Sequence, residues 1–123
     1  MLKVHARKLG NTAILCLQGR IVNGETEVLR DAIHSLSNVS AVILDFARVA
    51  TVDAGGLGVM LELREEIEAK GIRFELMNVT GLVGKVLEIT RLNSVFRITS
   101  GLEFFPSVSR GRSATMAPLA SCA

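Results

Sequence analysis

Residues 41–59 of the chain, AVILDFARVATVDAGGLGV, decide its fold. The apolar run at residues 41–46 is too short for a helix, so it predicts a buried central strand. A glycine-rich turn that begins at Asp53 then opens a segment whose apolar residues recur at helical spacing to about Lys70. A buried strand followed closely by a helix of this kind is typical of an α/β protein.

The segments on either side continue the alternation of strands and helices. Further strands are predicted at residues 2–7, 12–18, 72–77 and 95–99, and further helices at about residues 25–36 and after an N-cap at Thr80. The turn signal Gly10-Asn11 makes the first two strands an antiparallel hairpin. The order β-β-α-β-α-β-α-β predicts a mixed, mostly parallel sheet with an N-terminal antiparallel hairpin and helices packed against it.

Length and composition predict one globular domain. The chain has 123 residues, of which 49% are hydrophobic and 21% charged, so it has enough apolar surface for one core but not two. We expect the domain to span residues 1–105. Residues 106–123 consist mainly of Ser, Ala, Arg and Pro without apolar periodicity, which predicts a disordered C-terminal tail.

Charge and aromatic content argue against nucleic acid as a partner. The formal net charge is +2, and the basic surplus lies in the tail at Arg110 and Arg112. A formally neutral body offers no patch to neutralise phosphates, and the absence of Trp and Tyr removes most stacking platforms for single strands. No segment resembles a signal peptide or a membrane span, so we expect a cytoplasmic protein that does not insert directly into a membrane.

Few residues qualify as candidates for catalysis or metal binding. His5 and His34 have no Ser or Cys partner in a recognisable motif, so surface or structural roles are favoured. The glutamates between Glu62 and Glu68 follow helical spacing and are typical of a solvated face. Cys16 and Cys122 form no C-x-x-C pair. We therefore expect no enzymatic activity, no cofactor and no metal site.

The turn at residues 53–58, Asp-Ala-Gly-Gly-Leu-Gly, is the most informative part of the chain. Glycines permit close backbone approaches, and the N–H groups at the start of the following helix are able to receive an anion. As a nucleotide motif the turn is weak, because it fits neither G-x-G-x-x-G nor a Gly-Lys-Ser/Thr sequence. A glycine-rich turn ahead of a packed helix is the simpler interpretation.

This turn and two further segments resemble the STAS-domain family. In that family a strand is followed by Asp-Ser-Ser/Thr-Gly-Leu-Gly at the start of a helix, and residues 53–58 align with that motif. Residues 19–21, Gly-Arg-Ile, resemble the end of the second family strand, and residues 92–98 resemble its terminal Leu-x-x-x-Phe-x-Ile/Val. The resemblance covers about residues 2–100 in the element order given above.

The resemblance implies a bacterial anti-sigma-factor antagonist, a regulator of transcription that acts by partner switching. Such a protein binds a serine-kinase anti-sigma factor and frees the sigma factor that it holds. The kinase can inactivate it by phosphorylating the first Ser after the conserved Asp. Asp53 matches that Asp, but Ala54 occupies the serine position, so no phosphorylation is expected there. Val22 also departs from the family, since antagonists often carry an acidic residue at that position.

A partner-binding face is implied at the loop after the second strand and at the Asp53 turn. Its expected residues are Asn23, Gly24, Asp53, Ala54, Gly55, Gly56 and Leu57. Two other functions stay open for a STAS protein. One is an accessory subunit of a transporter complex, for example of the lipid-transport ATPase type, and the other is a sensory scaffold that assembles with other STAS proteins.

Overall fold

Strands and helices alternate along the part of the chain that the computed structural model describes, residues 1–79 and 81–99. The strands are β1 (Lys3–Leu9), β2 (Thr12–Ile21), β3 (Ala41–Val52), β4 (Arg73–Met77) and β5 (Arg97–Thr99). The helices are α1 (Glu27–His34), α2 (Ala54–Ala69) and α3 (Gly81–Ile89), and a 3₁₀ turn at Leu92–Ser94 precedes β5. The predicted order of elements is confirmed.

The strands form one mixed sheet in the order β1-β2-β3-β4-β5. β1 runs antiparallel to β2, and the remaining neighbours are parallel. Gly10 makes the hairpin turn with a φ of 62°, a backbone conformation that glycine adopts without a steric penalty. The predicted fold class, a mostly parallel sheet with an N-terminal antiparallel hairpin, is confirmed.

The three described helices all pack on one face of the sheet. Successive side chains of a strand point to opposite faces, so each strand contributes alternate residues to each face. Leu44 and Phe74 belong to the face that shares one apolar core with the helices. The opposite face, here called the helix-free face, carries a second buried cluster made only of strand residues: Ile14, Cys16, Ile43 and Met77.

β3 is longer than predicted, because it continues beyond Phe46 to Val52. The pairing of β2 with β3 shifts register between Cys16 and Gln18 and again between Gly19 and Arg20. Beyond Phe46 most residues of β3 are exposed or half-buried, so the continuous apolar run from which the strand was predicted ends there although the strand itself goes on. The extra residues allow β3 to remain paired with β2 to the end of both strands.

Other predicted boundaries differ by a few residues, as is usual where helix ends fray. α1 spans Glu27–His34 rather than residues 25–36, with Thr26 and Ser35 as its caps. The proposed cap at Thr80, the domain end at residue 105 and the tail at residues 106–123 lie outside the described residues. Within those residues, no helix is both long and apolar enough to cross a bilayer.

Candidate partner-binding site

The loops that follow β2 and β3 lie side by side at one edge of the sheet. The two strands are parallel neighbours, and Ile21 at the end of β2 pairs with Val52 at the end of β3. The loop containing Asn23 and Gly24 therefore meets the turn that begins at Asp53. The fold thus brings together the two segments that the family resemblance identified separately.

The Asp53 carboxylate joins these two loops. Its Oδ1 accepts a hydrogen bond from the Gly56 N–H at 2.8 Å, and each of its oxygens lies 3.1 Å from the backbone N of Asn23, which donates to them. The Asp53 N–H donates to the Ile21 carbonyl at 3.2 Å, and the Leu57 N–H donates to the Asp53 carbonyl at 2.9 Å. Asp53 is thus the N-cap of α2 and also holds the β2 loop in place.

These backbone donors hold the pKa of Asp53 below its ordinary value of 3.8. The hydrogen bond from Gly56 is the largest cause, and the bond from Asn23 is the second. Both bonds favour the ionised carboxylate, and the positive end of the α2 dipole acts in the same sense. The ionised form of Asp53 therefore stabilises the contact between the β2 loop and the start of α2.

We expect Asp53→Asn to destabilise the protein at neutral pH and to matter progressively less in acid. A depressed folded pKa means that the carboxylate stabilises the fold above its unfolded pKa of about 4, and that this stabilisation is lost as the pH falls through the lower folded pKa. Urea unfolding of both proteins from pH 7 to about pH 2 measures the difference, and the other acids titrate alike in both. A difference that stays constant throughout this range would show that the charge of Asp53 contributes nothing.

Gly55 and Gly56 allow the two loops to approach closely. A Cβ added to Gly56 would lie 1.9 Å from the Ile21 carbonyl oxygen, and one added to Gly55 would lie 2.7 Å from the Cβ of Asn23. Atoms cannot approach this closely, so both positions need glycine for space. Gly58, in the same motif, has open space where a Cβ would be.

The seven expected site residues divide into a solvent-facing group and a buried group. Asn23, Gly24, Asp53 and Ala54 are exposed, and Gly55 is half-buried. These five residues form the loop surface. Gly56 and Leu57 are buried, and Leu57 belongs to the core shared with the helices. They support the loop surface from beneath and present little of themselves to a partner.

Sequence reasoning missed the backbone of Ile21 as part of the site. Its carbonyl accepts the Asp53 N–H and also faces Gly56. The paired glycines after Asp53 were the available signal, since such a pair indicates a close backbone approach. A pair of glycines does not indicate which other segment of the chain approaches it.

Two glutamates of α2 contact basic side chains of α1. Arg30 donates to Glu62 at 2.7 Å, and His34 Nε2 lies 3.3 Å from a carboxylate oxygen of Glu66. These pairs are exposed or partly exposed, which agrees with the predicted solvated face. Among the residues that the structure describes, no three His, Cys, Asp or Glu side chains lie close enough together to hold a metal ion.

A protein-family model matches most of the chain, including the mixed sheet and the Asp-capped turn. The model of the STAS domain matches residues 3–110. The chain therefore belongs to the STAS domain family, and the resemblance seen in its sequence is confirmed.

Solved structures share the fold. An anti-sigma factor antagonist from Mycobacterium paratuberculosis is 15% identical with a TM-score of 0.71, and the match covers 95% of this chain and 93% of that one. A sulfate transporter family protein from Wolinella succinogenes is 21% identical with a TM-score of 0.64, covering 72% and 75% of the two chains. Mglu is 29% identical with a TM-score of 0.58, but the match covers 63% of this chain and only 20% of the Mglu chain. This chain therefore spans about a fifth of Mglu.

Proposed function

We propose that this protein is a non-catalytic regulator that binds an anti-sigma factor of the serine-kinase type. It keeps the ability to bind this factor and to displace sigma factor from it when ATP is present. The observation that carries the proposal is the loop surface, in which the Asp53 carboxylate at the start of α2 accepts hydrogen bonds from the Asn23 N–H. On the family resemblance, Ala54 in this surface would stand in place of the switch serine. The near full-length likeness to an anti-sigma factor antagonist supports this choice within the STAS family.

The loop surface is suited to binding because it is held in place before a partner arrives. Asp53 links the β2 loop to the start of α2 through the backbone N–H groups of Asn23 and Gly56. Ordering a loop during association costs free energy, so a loop that is already ordered binds more tightly. Gly55 adds to the effect, because it leaves room for the Asn23 side chain beside the turn.

Ala54 determines how such a protein would be regulated. Its side chain is exposed but has no hydroxyl group, so a kinase cannot transfer a phosphoryl group to it. A kinase with ATP cannot inactivate such an antagonist at this position, and a phosphatase has no phosphate there to remove. Its activity then follows the amount of protein synthesised.

A pull-down with the full chain, followed by displacement measurements, tests this function. We expect the recovered partner to be a kinase-type anti-sigma factor, and we expect the purified chain to displace sigma factor from it equally well with and without ATP. Recovery of no such factor, or displacement that ATP abolishes, would contradict the proposed role.

Ala54→Ser should restore a phosphorylation switch. With the partner kinase and ATP, we expect the variant to gain one phosphate at residue 54 and to lose its ability to displace sigma factor, because the new charge disturbs the binding surface. Mass spectrometry of the turn peptide measures the modification, and wild type is the matched control. An unmodified variant, under conditions where the kinase phosphorylates another antagonist, would contradict the assignment of this position.

A second candidate is an accessory subunit of a transporter complex. The likeness to a sulfate transporter family protein favours it, since that fold also occurs in a transporter context. The same pull-down distinguishes the two functions, because a transporter subunit would be recovered in place of an anti-sigma factor.

A further inference from the structure

α3 presents apolar side chains to solvent as well as to the core. Its buried residues are Val83 and Leu87. On another side of the same helix, Leu82 is 56% exposed and Ile89 is 76% exposed, and the half-buried Val86 lies between them. A surface helix of a globular protein ordinarily has one apolar side, which faces the core, and polar groups elsewhere. α3 has a second apolar side.

Leu82, Val86 and Ile89 form one continuous stripe, here called the α3 stripe. Their spacing of four and three residues places them on the same side of a helix, one turn apart. Helices that recognise a partner do so through apolar side chains at this spacing. The solvent-facing sides of the other two helices are mainly charged instead, with these acidic residues exposed: Glu27, Asp31, Glu62, Glu65 and Glu66.

Two charged residues of opposite sign border the stripe. Lys85 and Glu88 are both exposed, and their spacing of three residues places them on the same flank of α3. Among the described residues, no ion pair involves either side chain. The two charges cancel, so this surface has no net charge with which to attract an anionic membrane or a strongly charged partner.

We propose that the α3 stripe is a dimer interface, in which α3 packs antiparallel against α3 of a second copy of the chain. In a two-fold pair centred on Val86, Leu82 of one copy meets Ile89 of the other, because they lie four and three residues from the centre. Each apolar side chain of the stripe is then covered by another. The stripe is therefore complementary to itself in its apolar groups.

The flanking charges are complementary in the same arrangement. A two-fold axis of this kind brings the same flank of both helices together. Lys85 of one copy then lies opposite residue 87 of the other, one residue from Glu88, and one residue of helix is only about 1.5 Å of rise. Two ion pairs between Lys85 and Glu88, related by the symmetry, can therefore form across the interface. A second copy thus satisfies the charges as well as the apolar groups.

The dimer should be weak and should form without any other protein. A contact through one nine-residue helix is small, and small interfaces are typical of transient association, so we expect a dissociation constant of about 10 to 100 μM. The α3 stripe and the loop surface are made of different residues. Dimerisation therefore does not depend on the proposed function, and the two proposals can fail separately.

Analytical ultracentrifugation of the full chain tests the interface. We expect a reversible equilibrium between monomer and dimer over concentrations from about 1 μM to about 1 mM. Ile89→Ser should raise the dissociation constant at least about tenfold, because Ile89 is the most exposed residue of the stripe. Val28→Ser is the matched control: it removes an apolar side chain that is 40% exposed on α1, and it should leave the equilibrium unchanged.

A charge exchange tests the antiparallel arrangement. Lys85→Glu sets an acidic side chain beside Glu88 of the other copy, so it should weaken the dimer several-fold. The double variant Lys85→Glu with Glu88→Lys has both charges reversed, and its dissociation constant should return to within about twofold of wild type. A different occupant of the stripe would not restore its binding in this way.

Each other outcome contradicts the proposal. A chain that stays monomeric at every concentration would overturn it, and sedimentation with phosphatidylglycerol vesicles that Ile89→Ser abolishes would then assign the stripe to lipid. A dimer that Ile89→Ser leaves intact uses another surface. A dimer that the charge exchange fails to restore is not the antiparallel pair. If thermal melts show that Ile89→Ser disturbs the fold, Lys85→Glu and the double variant decide the question, since both change only exposed side chains.

Discussion

Gly56→Ala should destabilise the protein by about 3 kcal/mol, whereas Gly58→Ala in the same helix should be neutral or stabilising by up to about 1 kcal/mol. The new methyl group at position 56 would overlap the Ile21 carbonyl oxygen, which is backbone and cannot rotate away. α2 would have to move away from β2, and the Asp53 N–H bond to that same carbonyl would be strained. At position 58 the methyl group meets open space, and Ala is the better helix former.

Chemical unfolding of the two variants beside wild type measures this difference. The pair is well matched, because both substitutions add one methyl group to α2 and lie two positions apart. Equal effects of the two substitutions would contradict the close approach of α2 to the end of β2. A loss of stability in Gly58→Ala but not in Gly56→Ala would also contradict this close approach.

Ala54→Glu should weaken partner binding about 30-fold, which corresponds to about 2 kcal/mol, while stability changes little. This prediction rests on the proposed function. The substitution places a negative charge next to Asp53 in the middle of the loop surface and imitates part of what a phosphoserine would do. Ala54 is exposed and begins α2, where the helix dipole favours an acidic residue, so folding should tolerate it.

Calorimetry with the partner from the pull-down, paired with thermal melts, tests this prediction. Ala54→Gln is the control, because it adds nearly the same volume without the charge, and its loss of affinity should be the smaller of the two. If Ala54→Glu binds as tightly as wild type, the partner contacts another surface. If both variants weaken binding equally, size rather than charge is responsible.

Much of the fold could be predicted because each element carries its own local signal. The apolar run at residues 41–46 identified the central strand, and Gly10-Asn11 identified the hairpin. The helix was predicted to end at about Lys70, which is the C-cap of α2, and the Gly71 that follows has a φ of 78°, a conformation that favours glycine. Signals of this kind arise within a few neighbouring residues, so they are visible before any tertiary contact is known.

The end of β3 could not be predicted, because it depends on pairing with another strand and not on a local signal. Its residues beyond Phe46 are held by pairing with β2 across two register shifts. The shifts change which side chains face the core, so the pattern along β3 alone looks irregular. That pairing is nonetheless what sets Asn23 beside Asp53.

The sequence by itself determined the order of elements, the sheet class and the position of the Asp-capped turn, since these depend on interactions among near neighbours. Only the tertiary structure decided what the turn contacts. Gly56 and Gly58 are the same residue type in one short motif, yet only Gly56 faces the Ile21 carbonyl. Asp53 likewise receives the Asn23 N–H from a residue 30 positions away. Such contacts follow from how distant segments pack, and a local pattern carries no record of that packing.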